Sequence, residues 1–526
     1  MNNGQARSRR LLWIGLVPLL LGLVGHAFLY DYVVDDAFIS FRYAQNLVGG
    51  EGLVYNPGER VEGYTNFLWV MLTALGMALG ADPVPFSKVL GLLSAAGVLA
   101  LTFGWPGNGI GRGGVLRLLA PALLCLSPPF ALWSVGGLET CGFTLLVFTA
   151  LTASIRMDRA GEHRAKWEGC CGFCLALAIL TRPEGWIAAL LVVLDRVFGA
   201  AREGKTVGRF PVVLVAVCLA AVLPHQIWKW SYYGHPFPNS YYAKVGWTGA
   251  QGLRGLTYLG GFTRGFGWPV ISLALVGLAG GFKERAVRLL YLWTVLYVAY
   301  VVIVGGDGLC MYRFFVPILP ALCLLAERGV RVLSRMAAGS FPGARRWARV
   351  SLCALLCAAL GLLTVKPSIA SKEKEFVRQD KQFVMHWITI GKWLRHYARP
   401  DDRIAVTTAG AVPYYSGLYA IDMLGINEPV IAHRKMPGMG EGIAGHEKYD
   451  MAYVVDRRPT YLFHHLFLLT KAKFTREQFE TPWNPGEEDL LRSEEFKRVY
   501  EPVSEQVNGF YINFFRLRET GQGEAE

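Results

Sequence analysis

A helix that crosses a bilayer needs about 20 consecutive apolar residues, and runs of roughly that kind recur along this chain with little between them. Candidate runs cover residues 11–30, 66–80, 89–105, 115–133, 138–155, 169–180, 186–197, 210–228, 266–282, 289–304, 314–325 and 350–365. With 53% hydrophobic residues in 526, the chain reads as a polytopic membrane protein. Its net charge of +13 does not point to nucleic acid, because Lys and Arg gather in short runs between apolar segments, the pattern of cytoplasmic loops. The ten cysteines fall almost entirely inside apolar runs, where a thiol behaves as a small hydrophobe. Cys170, Cys171 and Cys174 have no second ligand pair at a metal-binding distance.

The excess of basic residues inside the membrane sets the expected topology. Clusters at 156–166, 196–209, 283–288 and 328–349 are placed in the cytoplasm. Outside are the break at 181–185, an aromatic loop at 229–244, the turn at 305–313 and everything after Lys366. The first run follows Arg7, Arg9 and Arg10 and reads as an uncleaved helix with its N-terminus inside. Four full crossings between Tyr64 and Arg156 would put the first basic cluster on the wrong side. One full crossing plus a half-height piece is therefore expected over 66–105, giving about eleven crossings in all. The two short runs flanking Arg182 are expected to form a hairpin that dips partway.

Apolar runs stop near Ser371, dividing the chain into a membrane domain, 1–370, and a soluble α/β domain, 371–526. An amphipathic helix is predicted over 383–397, with strands at 403–408 and 419–423 and a turn between them. The tail after Arg518 reads as disordered.

The residues with chemical potential lie on the outer side. In the first loop, 31–65, Asp35 and Asp36 directly follow the first helix. Such a pair reads either as a solvated helix end or as a general base toward a hydroxyl with a neighbour that orients it. Arg42, Arg182, Lys244 and Arg313 are cations fit to hold a phosphate. Arg182 in an apolar setting either pairs with Glu184 or faces a polar cavity. Lys244 reads equally as an interfacial lysine. The aromatics from Trp228 to Phe237 suit an interfacial belt better than a stacking surface, and His235 reads first as a loop histidine. Asp307 sits among glycines that allow close approach of a ligand, although a turn explains the same letters. Tyr414, in a turn without the spacing of a phosphate-cradling loop, suits either the core or a stacking surface.

The sequence carries Asp35-Asp-Ala-Phe-Ile-Ser-Phe-Arg-Tyr43, then Tyr55-Asn-Pro-Gly-Glu-Arg-Val-Glu-Gly-Tyr-Thr-Asn66 and Gly137-Leu-Glu-Thr140. Further on come Thr181-Arg-Pro-Glu-Gly185, Pro238-Asn-Ser-Tyr-Tyr-Ala-Lys244, Gly306-Asp307 with Arg313, and Pro413-Tyr-Tyr-Ser-Gly417 leading to Asp422-Met-Leu-Gly425. These stretches resemble the mycobacterial terminal β-(1→2)-arabinofuranosyltransferase family and its bacterial relatives, over nearly the whole chain. The resemblance implies a GT-C fold and transfer of a pentofuranose, such as arabinofuranose, from a polyprenyl-phosphate carrier to an extracytoplasmic glycan or glycoprotein. It implies a bacterial inner membrane location with site and C-terminal domain facing the periplasm. Asp36 and Asp35 become the catalytic candidates. Arg182, Lys244, Arg313 and Arg42 become ligands of the donor phosphate. Glu62, Tyr64, Asn66, Glu139, His235, Asp307 and Tyr414 are candidates for sugar or acceptor. No cofactor is certain; a divalent cation is possible beside the aspartates, but no ligand cluster demands it. A transporter of lipid-linked glycan, or a same-fold transferase of a hexose or oligosaccharide, is the alternative.

Overall fold

A computed structural model describes residues 14–108, 114–159, 161–202, 210–279, 281–340, 345–369, 371–464 and 468–518. The start of the first apolar run, parts of the basic clusters and the tail after Arg518 lie outside the described residues. The helical body contains α1 (Leu16–Phe28), α2 (Asp35–Val48), α3 (Phe67–Ala78), α4 (Pro83–Phe103), α5 (Leu119–Leu126), α6 (Pro128–Trp133), α7 (Thr140–Arg156), α8 (Arg164–Thr181) and α9 (Gly185–Arg202). It continues through α10 (Phe210–Tyr233), α11 (Asn239–Lys244), α12 (Gly249–Phe262), α13 (Trp268–Leu278), α14 (Arg285–Ile303), α15 (Leu319–Ser340) and α16 (Arg345–Ile369). Among the described residues four helical stretches are long and apolar enough to cross a membrane: Pro83–Phe103, Val212–Tyr233, Gly249–Leu278 and Arg285–Ile303. Shorter apolar helices accompany them, as befits a multi-pass membrane protein.

Three expectations for the helical body need correction. The 115–133 run is broken at Ser127, because Pro128 and Pro129 lack amide hydrogens and disfavour helix in the residue before them, leaving α5 and α6. The helices flanking Arg182 are not short pieces: α8 and α9 have 18 residues each, about 27 Å. Their charged ends are paired, as in Arg164 with Glu168 at 2.8 Å and Arg196 with Asp158 at 2.6 Å. The residues from Trp228 to Tyr233 form the last turns of α10 rather than a loop. Nothing in that stretch breaks a helix until Gly234, which takes φ +78° at no steric cost. In the 66–105 region, α3 has 12 residues, about 18 Å, and α4 has 21, about 32 Å, so α4 has the length of a crossing.

Ion pairs join the basic clusters to one another. Arg285 pairs with Asp158 and Asp195, both at 2.6 Å, Arg288 with Asp195 at 3.0 Å, and Arg328 with Glu284 at 2.9 Å. From Arg285, α14 rises 19 residues, about 28 Å, to Gly305 and the 305–313 turn. The basic network and that turn are therefore one helix length apart.

Beyond α17 (Lys372–Tyr397) there are six strands among the described residues: β1 (Arg403–Val406), β2 (Tyr419–Asp422), β3 (Tyr461–Phe463), β4 (Leu469–Thr470), β5 (Tyr500–Val507) and β6 (Phe510–Leu517). β1 lies parallel between β2 and β3. β6 runs antiparallel to β3 and β4 along one edge and to β5 along the other. The stretch expected as a turn after β1 is a short helix, α18 (Ala411–Ser416), closed by Gly417 at φ +72°.

The first loop binds this segment tightly. Arg42 donates to the carbonyls of Tyr55 (2.7 Å), Leu418 (2.7 Å) and Pro413, and to Asn56 Oδ1 (3.0 Å). Asn56 pairs with the backbone of Ala420 in both directions, at 3.0 and 3.1 Å, as a strand residue would. Tyr55 donates to Ala409 O at 2.6 Å. Phe38 and Phe41 of α2 share one apolar core with Trp387, Ile390 and Val412. At Gly410 an added Cβ would lie 2.0 Å from Asp35 O, so loop and segment meet without room for any side chain. Gly410→Ala is expected to destabilise this seam by roughly 1–3 kcal/mol, lowering the thermal midpoint of the purified protein and exposing the 371–526 segment to protease. A wild-type midpoint and cleavage pattern would refute the close approach.

Candidate active site

The two aspartates at the start of α2 do different work. Asp35 accepts hydrogen bonds from the backbone N–H of Gly410 (3.0 Å) and Ala411 (2.7 Å), clamping the first loop to the start of α18. Burial, reinforced by the neighbouring Asp36, outweighs these two donors and pushes the Asp35 carboxyl up to about 7. Asp36 is half-buried, and its carboxylate makes no hydrogen bond or ion pair among the described residues. It lies within electrostatic reach of Arg313, His446 and Asp380.

The four expected phosphate ligands separate into bound and free. Arg42 is a correction: its donors go to backbone carbonyls and Asn56, so it pins the loop and has no open fork for a phosphate. Arg182 is another, being locked between Glu139 at 2.5 Å and Glu184 at 2.7 Å. Tyr300 also donates to Glu184, at 2.9 Å. One cation between two buried carboxylates leaves no net positive charge for an anion. Arg313 differs. Its Nε donates to Asp307 at 2.7 Å, its plane lies over Trp133 and Phe314, and its two terminal nitrogens have no partner among the described residues. Lys244 Nζ likewise has none there.

The other candidates fall into three groups. Glu139 and Asp307 belong to the ion pairs just described, and Asn66 donates to Glu139 at 2.9 Å, extending that chain to the end of the first loop. Glu62 forms a buried pair with Lys229 at 3.0 Å; burial outweighs the attraction of Lys229 and pushes the carboxyl up to about 7. Tyr64 meets Tyr233, hydroxyl to hydroxyl, at 3.1 Å. These two hold the loop to α10 and are corrections to the expectation of sugar contact. So are Tyr414, which packs between Phe38, Phe41 and Tyr415, and His235, exposed against His433 and Tyr242.

Two residues escaped sequence reasoning. Asp380, on α17, accepts from the Tyr32 hydroxyl; burial first, then Asp36, push its carboxyl up to about 6. Only the helical spacing of α17, extended one turn N-terminally from 383, could have brought it inward. His446 lies in a glycine-rich stretch with no motif to mark it. The 305–313 turn that delivers Arg313 carries Met311 at φ +55° and Tyr312 at φ +48°, left-handed conformations that side chains adopt only under constraint. Among the described residues no three His, Cys, Asp or Glu side chains are grouped to hold a metal ion.

Asp35, Glu62 and Asp380 hold their protons more tightly in the folded chain than free carboxyls do. Their contribution to stability is full below about pH 4 and declines as the pH rises through about 6 to 7, so the thermal midpoint should be higher at pH 5 than at pH 8. At pH 7, Asp35→Asn leaves one amide of α18 facing a donor and should cost roughly 1–3 kcal/mol, whereas Asp36→Asn should leave the midpoint unchanged. Equal losses in the two variants would contradict the division of labour.

Residues 374–515 match a domain of unknown function, DUF8728. The chain is 27% identical over 285 residues to the terminal β-(1→2)-arabinofuranosyltransferase of Mycobacterium tuberculosis, covering 51% of the chain and 44% of that protein. It is 27% identical over 354 residues to the protein of the same name from Corynebacterium glutamicum, covering 58% and 49%. The chain thus spans about half the length of the curated relatives it matches. It superposes on ArnT from Cupriavidus metallidurans bound to undecaprenyl phosphate with a TM-score of 0.55 at 12% identity, over 78% of the chain and 85% of ArnT. On the Archaeoglobus fulgidus oligosaccharyltransferase in its apo form the TM-score is 0.52 at 13% identity, over 78% and 64%. The chain is therefore a mostly helical membrane protein with GT-C glycosyltransferases as structural neighbours and terminal β-(1→2)-arabinofuranosyltransferases as curated homologues.

Proposed function

We propose that the chain is a membrane glycosyltransferase that moves a sugar, a pentofuranose such as arabinofuranose, from a polyprenyl-phosphate donor to a hydroxyl of an extracytoplasmic glycan or glycoprotein. The observation that carries this reading is that Asp36, whose carboxylate has no partner among the described residues, lies within electrostatic reach of Arg313, whose two terminal nitrogens have none there either. Homologues named for arabinofuranosyl transfer and a structural neighbour holding undecaprenyl phosphate support the donor class. In this reading the site and the 371–526 segment face the periplasm of a bacterial inner membrane. The basic network at the far end of α14 fits the cytoplasmic side.

The acceptor hydroxyl oxygen forms its bond to the anomeric carbon as the bond from that carbon to the phosphate oxygen breaks. The electron pair leaves with the phosphate, and the hydroxyl proton passes to Asp36. Arg313 and Lys244 face the developing charge of the phosphate, where fixed cations with free donors stabilise the transition state more than the ground state. Asp307 orients Arg313 through Nε and leaves its terminal nitrogens aimed outward. Asp35 acts through position, holding the start of α2 so that Asp36 faces the site.

A general base contributes typically 10²- to 10⁴-fold. Protein purified into lipid, given a labelled polyprenyl-phospho-arabinofuranose and a membrane extract, should transfer the label. Asp36→Asn should reduce transfer at least 100-fold, within that range, while still binding the donor lipid. Transfer from a polyprenyl-phospho-hexose alone would move the reading to that sugar. Undiminished transfer by Asp36→Asn, or passage of lipid-linked glycan across vesicles without transfer, would refute the mechanism.

A further inference from the structure

The stretch between Pro429–His433 and Met451–Asp456 forms a strap over the site. Thr248 donates to Met439 O at 2.5 Å, and Arg254 reaches Gly442 O at 3.0 Å and Glu447 at 2.8 Å. Glu447 in turn accepts from the N–H of Gly440 and Gly442, at 2.6 and 3.0 Å. These contacts fasten the strap to the start of α12. A Cβ at Gly440 would strike Gln251 N at 2.2 Å, one at Gly308 would lie 2.9 Å from Ala444 O, and one at Gly445 would lie 3.1 Å from Lys244 Cε. Residues 444–446 thus bridge the 305–313 turn and Lys244, the elements that carry the free cations.

His446 is the functional group on that bridge. Its Nδ1 faces Ala444 O at 3.4 Å, and Trp483 meets the ring edge-on at 5.6 Å, so the ring plane is fixed from two sides. A carbonyl only accepts, so Nδ1 carries the hydrogen and Nε2 is left as a bare acceptor. Nε2 has no partner among the described residues. Burial first, and then the nearby Lys244 charge, lower the tendency of the ring to protonate, which keeps it neutral near pH 7. A neutral imidazole with a bare nitrogen cannot donate to a phosphate; it accepts from a hydroxyl. Lys244, Asp36 and Glu447 lie within electrostatic reach of the ring.

We infer that His446 contacts substrate, its Nε2 accepting a hydrogen bond from a hydroxyl of the acceptor glycan and turning that glycan toward Asp36. The inference rests on the transferase reading above. The strap belongs to the segment that lies outside the membrane in that reading, so the ligand it meets is the one that arrives from water. The lipid-borne donor arrives along the helices.

The test is steady-state transfer from farnesyl-phospho-arabinofuranose to an octyl arabinofuranoside disaccharide, by wild type, His446→Phe and His446→Gln. Phe keeps the ring against Trp483 and removes the acceptor; Gln returns a carbonyl oxygen. The KM for the disaccharide should rise about tenfold in His446→Phe, the effect of one lost hydrogen bond. It should recover in part in His446→Gln, with donor KM and thermal midpoint close to wild type. A residue that merely supports the strap would move the midpoint and both KM values together, and would not be rescued by Gln. Unchanged disaccharide KM in His446→Phe, or a rise confined to the donor, overturns the inference while leaving transfer intact. A wild type that transfers nothing overturns the transferase reading, and this inference with it.

Discussion

Two backbone N–H groups at the start of α18 end on the carboxylate of Asp35, and the geometry of the site follows from that clamp. It draws the first loop against the strand-bearing segment until Gly410 touches Asp35 O, and Arg42 and Asn56 then satisfy the carbonyls and amides exposed along the joint. Buried backbone groups must be paired, so a loop that supplies its partners through side chains is fixed in register. With α2 fixed at its first residue, the next residue, Asp36, is held where its charge reaches Arg313 and His446.

Several of the buried charges are paired with one another. Arg182 is balanced by Glu139 and Glu184, Lys229 by Glu62, and Asp195 by two arginines. A buried ion left alone is costly, so these pairs reflect the requirements of a low-dielectric interior. Against that background, Asp36 and Lys244 have no partner among the described residues and Arg313 uses only Nε there; the charge of Asp36 reaches both Arg313 and His446, and that of Lys244 reaches His446. Convergence of unsatisfied groups of both signs is a better indicator of chemistry than their number, because a folded chain has no structural reason to keep them apart from partners.

The sequence was most informative where a local rule acts alone. Hydropathy predicted the apolar helices, and the doublet Asp35-Asp36 drew attention to the start of α2. The strands at Arg403 and Tyr419 followed from alternation and their flanking turns. It was silent on which aspartate is free, since that depends on an amide pair some 375 positions away in the chain. Arg42 looked like a ligand because a cation in a polar loop is read as exposed; only the docked segment supplies the carbonyls that consume it. The aromatics before Gly234 looked like a loop because composition was weighed above the absence of a helix breaker. Asp380 and His446 had no local signal: one is a polar position on an amphipathic helix, the other lies among glycines whose purpose, close approach to α12 and Lys244, appears only in three dimensions.

The most direct measurement is an experimental structure of the protein in a lipid nanodisc with a non-transferable polyprenyl phosphonate analogue of the arabinofuranose donor. The phosphonate oxygens should lie within hydrogen-bond distance of the terminal nitrogens of Arg313, with the anomeric carbon turned toward Asp36 and Asp35 still holding Gly410 and Ala411. An analogue seated on Arg182 or Arg42, or one that draws Asp35 away from α18 and into the site, would contradict the arrangement of free and committed groups described above.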